Sequence, residues 1–175
     1  MKLQKTKIQG VYIIKNDPFF DERGSFTRLY CKKIIKKKIK FEIKQSNLSI
    51  NKNKYTLRGF HYQIGKSSEN KIIKCLKGKI FDIVVDLRKR SKTYKKFISI
   101  TLDDKKNTSL ILPRGCANAF LTLENKTMVL YYTDNYYNKA HERGIRYNDS
   151  SFKFNWPLKP KIVSVKDKSY KDFKI

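Results

Sequence analysis

A chain of 175 residues, 39% hydrophobic and 13% aromatic, can bury the core of one domain over residues 1–175 with room for a pocket, and it is too apolar for global disorder. No run approaches the roughly 18 apolar residues that cross a bilayer, and the basic start at residues 1–8 lacks the apolar stretch of a secretion signal, so a cytoplasmic protein without a membrane partner is expected. The formal charge of +26, from 41 Lys and Arg against 15 Asp and Glu, admits a nucleic-acid-binding protein, but only eight of the 41 are Arg and the lysines run along the whole chain, which favours lysines placed wherever solvent permits.

The pattern along the chain is rich in strands. Residues 8–15 (IQGVYIIK) read as a strand, and residues 26–30 as a second after the turn signal Asp21-Glu22-Arg23-Gly24. Residues 31–43 mix isoleucines with lysines and read as a short helix running into a strand. A membrane-surface helix is the alternative there, but the apolar residues are few and change period. Residues 45–50 (QSNLSI) alternate. In Leu57-Arg58-Gly59-Phe60-His61-Tyr62-Gln63, alternation puts Arg58, Phe60 and Tyr62 on one face and His61 with Gly59 and Gln63 on the other. Residues 71–76 and 79–87 are strands hinged at Gly78, and residues 97–102 and 109–112 alternate as half-buried strands do. Residues 119–123 and 127–133 form a hairpin-like pair around Glu124-Asn125-Lys126. Many short strands with no βαβ alternation point to an all-β sandwich or barrel and away from a dinucleotide fold. Residues 155–175 are expected to wrap over the sheet.

Cys31, Cys75 and Cys116 are an odd, widely spaced set that fits no metal or redox motif, so free thiols in a reducing compartment are expected. The two histidines, His61 and His141, form no paired ligand spacing, so no metal is expected. His61, near Arg58, is a candidate general base because the imidazole of a free histidine exchanges its proton near neutrality; from pattern alone, a hydrogen-bonded structural histidine is the preferred alternative. His141 falls in a polar stretch beside Glu142 and is expected to face solvent.

Seven segments stand in an order that resembles the dTDP-4-dehydrorhamnose 3,5-epimerase family. They are Asp21-Glu22-Arg23-Gly24, Gln45-Ser46-Asn47, the segment Leu57 to Gln63, Val85-Asp86-Leu87-Arg88, Pro113 to Phe120 (PRGCANAF), Glu142 to Asp149 (ERGIRYND) and Asn155-Trp156-Pro157. Any one is weak; seven in order are specific and cover nearly the whole chain. The resemblance implies a cupin-type β-jelly roll (a double-stranded β-helix), a homodimer, and a nucleoside-diphosphate 4-keto sugar bound inside the barrel.

Position by position, the resemblance gives His61 the part of the proton-abstracting base and Asp167 that of the carboxylate that orients it. Tyr131 matches the proton donor on the opposite face of the sugar, and Lys71 the lysine near the sugar ketone. Arg23, Gln45, Asn47, Arg58, Glu142 and Lys166 match nucleotide- or diphosphate-contacting positions; Phe26, Arg28 and Asn118 are further substrate-contact candidates. The chemistry suits these residue types. Removing a proton beside a ketone leaves an enolate, whose oxygen a lysine would stabilise. A neutral histidine accepts that proton, and a carboxylate stabilises the resulting imidazolium. Inversion then needs a donor on the other face. No cofactor is expected, because the ketone is already in the substrate.

Two positions depart from the family pattern. Asn118, in Cys116-Ala117-Asn118-Ala119-Phe120, stands where the family usually carries a second histidine; an amide can hydrogen-bond an oxygen but cannot carry a proton charge. Arg28 stands where many thymidine-linked members have Glu, which leaves thymidine, guanosine and cytidine carriers all open. Inversion of carbon 3, carbon 5 or both fits the motifs equally. A ketoisomerase on the same fold, which would move the ketone, is the enzymatic alternative.

Overall fold

Strands with apolar residues at alternate positions need a second surface to bury against, and this chain pairs two sheets to supply it. The computed structural model describes residues 1–173. In chain order its strands are β1 Lys2–Lys5, β2 Tyr12–Lys15, β3 Phe19–Asp21, β4 Gly24–Phe26, β5 Gln45–Asn51, β6 Thr56–Gln63 and β7 Lys71–Lys77. They continue with β8 Lys79–Asp86, β9 Phe97–Asp103, β10 Thr108–Leu112, β11 Cys116–Thr122, β12 Thr127–Thr133, β13 Glu142–Gly144 and β14 Ile162–Val163. Two short helices, α1 Lys32–Ile35 and α2 Val165–Ser169, accompany them.

One antiparallel sheet has the order β1-β2-β10-β7-β12-β5, and the other the order β13-β6-β11-β8-β9 with β14 added in parallel beside β6. The connections β7 to β8, β9 to β10 and β11 to β12 each carry the chain from one sheet to the other, the path of a jelly roll. This is the fold class expected from the sequence. Between the sheets, Ile73, Cys75, Leu110 and Val129 meet Ile80, Val84, Leu102 and Phe120. The outer face of the first sheet is covered by Ile35 of α1 and by Phe41. Phe152, Phe154, Trp156 and Phe173 cover the outer face of the second. Burial on both faces explains why β8 reads as an almost continuous apolar run.

Several expected elements differ. The strand expected at residues 8–15 forms only over Tyr12–Lys15: the chain turns at Gly10 with φ +81°, and Ile8 and Val11 are buried around the turn. The strand expected at 26–30 ends at Phe26, because β3 and β4 form their own small hairpin. The helix in residues 31–43 forms for four residues, but no strand follows it before β5. Glu124 to Lys126 do form a turn, with Lys126 at φ +55°, yet β11 and β12 pair with β6 and β8 and with β5 and β7 respectively, not with each other. Turn chemistry is local; the partner strand is chosen by which sheet has an apolar face to fill. The C-terminal stretch does wrap, through β14 and α2, and residues 174 and 175 of that expectation lie outside the described residues.

Candidate active site

Beside the central core, a cavity of about 730 Å³ opens between the sheets. Its walls come from β6 and β11 of the second sheet, β5, β7 and β12 of the first, and the β14–α2 segment across one end. His61 stands on β6, and its Nε2 lies 2.7 Å from Asp167 Oδ1. Asp167 is nearly fully buried, and its second oxygen accepts from the Gly59 amide at 3.1 Å. Ser164 caps α2 by accepting from the Asp167 amide at 3.0 Å, which fixes the carboxylate over the cavity. Burial pushes the Asp167 carboxyl up, but the hydrogen bond and charge of His61 and the Gly59 amide outweigh it, and the group sits below the usual carboxylate range. An ionised Asp167 only accepts, so Nε2 donates to it, and in the neutral imidazole it is Nδ1 that keeps the lone pair.

Arg58 and His61 both line this cavity, contrary to simple alternation. The register against β11 explains it. His61 faces Asn118 and Arg58 faces Phe120, so three steps on β6 match two on β11. A bulge of this kind flips side-chain parity. Gly59 sits in it at φ +113°, and a Cβ there would lie 2.5 Å from the Asn118 carbonyl oxygen, so no other residue fits without a shift. Phe60, on the other side, is buried against Phe154.

Tyr131 is on β12, in register with Asn47 of β5 and Ile73 of β7, and it lines the same cavity as His61 from the opposite sheet. Burial first, then Glu69, pushes its phenol up, which keeps the proton on. Lys71, at the start of β7, donates to the His61 carbonyl at 3.2 Å and lies 3.3 Å from Glu69. Burial pushes the Glu69 carboxyl up, against the pull of Lys71. At the open end, Glu142 accepts from Tyr137 at 2.7 Å and pairs with Lys166; these partners outweigh burial and hold its carboxyl low. Gln45 accepts from the Tyr137 amide at 2.6 Å, and Arg58 donates to Asn51 at 2.8 Å. The structure thus brings together His61, Asp167, Tyr131, Lys71, Gln45, Asn47, Arg58, Asn118, Glu142 and Lys166.

Arg23, Phe26 and Arg28 are elsewhere. Arg23 is in the β3–β4 turn, exposed and paired with Asp21 at 2.6 Å; Phe26 is 69% exposed, and Arg28 is also on the surface. His141 is half-buried, not solvent-facing, with Nδ1 2.7 Å from Ser67 Oγ. Among the described residues, no group of three or more His, Cys, Asp or Glu side chains is placed to hold a metal ion.

The model of the family described as dTDP-4-dehydrorhamnose 3,5-epimerase matches residues 5–174. The Shigella flexneri dTDP-4-dehydrorhamnose 3,5-epimerase is 36% identical over 169 residues, 95% of this chain and 93% of that protein. The chain belongs to this epimerase family. Among solved structures, the Bacillus anthracis epimerase with TDP and PPi bound superposes with a TM-score of 0.94 at 32% identity, over 98% of this chain and 99% of that one. The Legionella pneumophila 3,5-epimerase in complex with dTDP-4-keto-L-rhamnose gives 0.92 at 29% identity, over 98% and 92%. The chain is therefore an isomerase, an epimerase on the cupin jelly-roll fold.

Two cavity residues and one carboxylate buried behind the wall lie outside the seven ordered segments. Glu69 lies two residues before Lys71, where its signal was lost among polar neighbours. Tyr137 was legible only as one of a tyrosine cluster. Asp82, fully buried against Asn118, has a visible sign: a carboxylate at an inward position in the middle of the apolar run KIFDIVVD, where Asp86 only closes the strand.

Proposed function

We propose that the cavity binds a thymidine diphosphate 4-keto-6-deoxy sugar and inverts the carbons flanking its ketone, using residues 1–175 as one epimerase domain. The observation that carries this reading is the placement of His61 of β6, paired with Asp167 of α2, across the cavity from Tyr131 of the other sheet, with Lys71 alongside. A sugar ring between them would present one face to a base and the other to an acid. His61 Nδ1 takes the proton, and Asp167 holds the imidazolium that results. Negative charge then develops on the ketone oxygen, where the Lys71 ammonium stabilises it. Tyr131 returns a proton from the opposite face, which inverts the centre. Arg58, Lys166 and the polar wall of Gln45 and Asn47 suit the diphosphate and nucleoside.

The thymidine carrier rests on the relatives named above. Arg28, which left the carrier open, lies on the surface outside the cavity of its own chain. The same fact supports a homodimer. Phe19, Phe20 and Phe26 are 65%, 69% and 69% exposed on one small hairpin, which is costly in water. Seated on a second copy, that hairpin would bring Arg23, Phe26 and Arg28 toward the partner's cavity. Cys31, Cys75 and Cys116 are free thiols, which fits a reducing cytoplasm.

The test is incubation with dTDP-4-keto-6-deoxyglucose in deuterated water. Deuterium at carbon 3, carbon 5 or both, with inverted configuration there, is the expected result. A product whose ketone has moved would make the enzyme a ketoisomerase.

A further inference from the structure

Asp82 interrupts β8 at an inward position, between Ile80 and Val84 of the central core. Its side chain is fully buried. One oxygen accepts from Asn118 Nδ2 at 3.1 Å; the other has no partner among the described residues. On β9 its register neighbour is apolar Ile100, and on β11 it is Phe120. The other titratable group on the inner side of β11 is the Cys116 thiol, pushed up to about 12 by burial. His61 of β6 lies beyond Asn118, its register partner. From the first sheet, Tyr131 packs on the same core, and Lys71 reaches Asp82 with its charge but makes no direct bond, its ammonium being held by Glu69 and the His61 carbonyl. A carboxylate with one neutral donor in a dry interior is disfavoured against its acid form.

We propose that Asp82 and Asn118 act as one neutral pair, in which the acid form of Asp82 clamps the Asn118 amide beside His61 and leaves Lys71 unopposed by a second anion at the ketone end of the cavity. This deepens the epimerase reading and rests on it. The amide is what makes the pair neutral. An imidazole at position 118 would take the proton and leave Asp82 an anion in an ion pair; an amide cannot, so the proton stays on the carboxyl. Asp82 touches no substrate and is a positioning residue. Burial pushes its carboxyl up to about 8, against the lowering effect of Asn118 and Lys71. Above that pH a negative charge appears behind the cavity wall, one hydrogen bond beyond Asn118, and the potential that Lys71 provides falls.

Rate and protonation state can be followed on the same proteins. With dTDP-4-keto-6-deoxyglucose, the parent's kcat is expected to fall about tenfold as pH rises through the titration of Asp82, from one buried charge behind the cavity wall. Asp82→Asn, neutral at every pH, is expected to lose that fall and to retain most of the neutral-pH activity that Asp82→Ala loses. A purely structural Asp82 would change stability without reshaping the profile. The infrared difference between parent and Asp82→Asn should show the C=O band of a protonated carboxyl at neutral pH, absent at alkaline pH. Asn118→His, which keeps Asp82, should lose the same band. Absence of the band in the parent, or an Asp82→Asn profile that superimposes on the parent's, overturns the proposal. If the parent inverts no 4-keto nucleotide sugar, the epimerase reading fails instead, and the infrared band decides the pair's protonation without it.

Discussion

Replacing Tyr131 by Phe separates the two proton transfers. The ring stays packed against Ile73, its neighbour on β7, and only the hydroxyl is lost from a half-buried site. Stability should change by about 1 kcal/mol or less. His61 on the other sheet and Asp167 on α2 are untouched, so proton abstraction continues. The enolate is then reprotonated by His61 on the original face, or slowly by water. A positioned general acid contributes about 10²–10⁴-fold, so inversion should fall by that factor while solvent exchange persists. In deuterated water, deuterium enters the carbons beside the ketone but the starting configuration survives. Mass spectrometry gives the exchange rate, proton couplings give the configuration, and a melting curve on the same sample reports folding. Inversion near the parent rate would show that another group supplies the proton; Tyr137, which lines the cavity but is bonded to Glu142, would be the next candidate. Equal losses of exchange and inversion together with a lower Tm would make Tyr131 structural.

His61→Asn should abolish solvent exchange at both carbons while thymidine diphosphate binds nearly as before by calorimetry; exchange at the parent rate would remove His61 from the reaction. The Asp167 carboxyl is depressed in the fold, so its contribution to stability is present above the unfolded carboxylate range and is lost as pH falls through its folded value. Acid unfolding of Asp167→Asn should therefore be less steep than that of the parent, and identical curves would contradict the geometry. Gly144→Ala places a Cβ 2.1 Å from the Tyr170 ring, which packs near His61 at a centroid distance of 6.2 Å. It should destabilise by about 1–3 kcal/mol, as overpacking does, in a denaturant titration. If the hairpin seats on a second copy as proposed, serine at Phe19, Phe20 and Phe26 together should yield a monomer in sedimentation where the parent sediments as a dimer; an unchanged assembly would place any interface elsewhere.

Local and periodic features were open to reading from the residues alone. Strand content follows from alternation, because side chains on a strand change face at every step whatever surrounds them. The seven ordered segments were likewise legible, since they are contiguous stretches of chain. Features that depend on which strands meet were not. The turn at Glu124 to Lys126 looks the same whether it closes a hairpin or carries the chain between sheets, and only the pairing of β11 with β8 and of β12 with β7 distinguishes the two. The bulge opposite Asn118 sets Arg58 and His61 on one wall, against the period of the sequence, because it is a property of two strands in register and not of either one. Asp167 comes to His61 from over a hundred residues away, carried by β14 lying beside β6 and by a serine cap on α2. Residue type told which side chains could move a proton. Their distances and the burial that tunes them came from the packing of two sheets, because electrostatic energy in a dry cavity depends on separations that no spacing along the chain encodes.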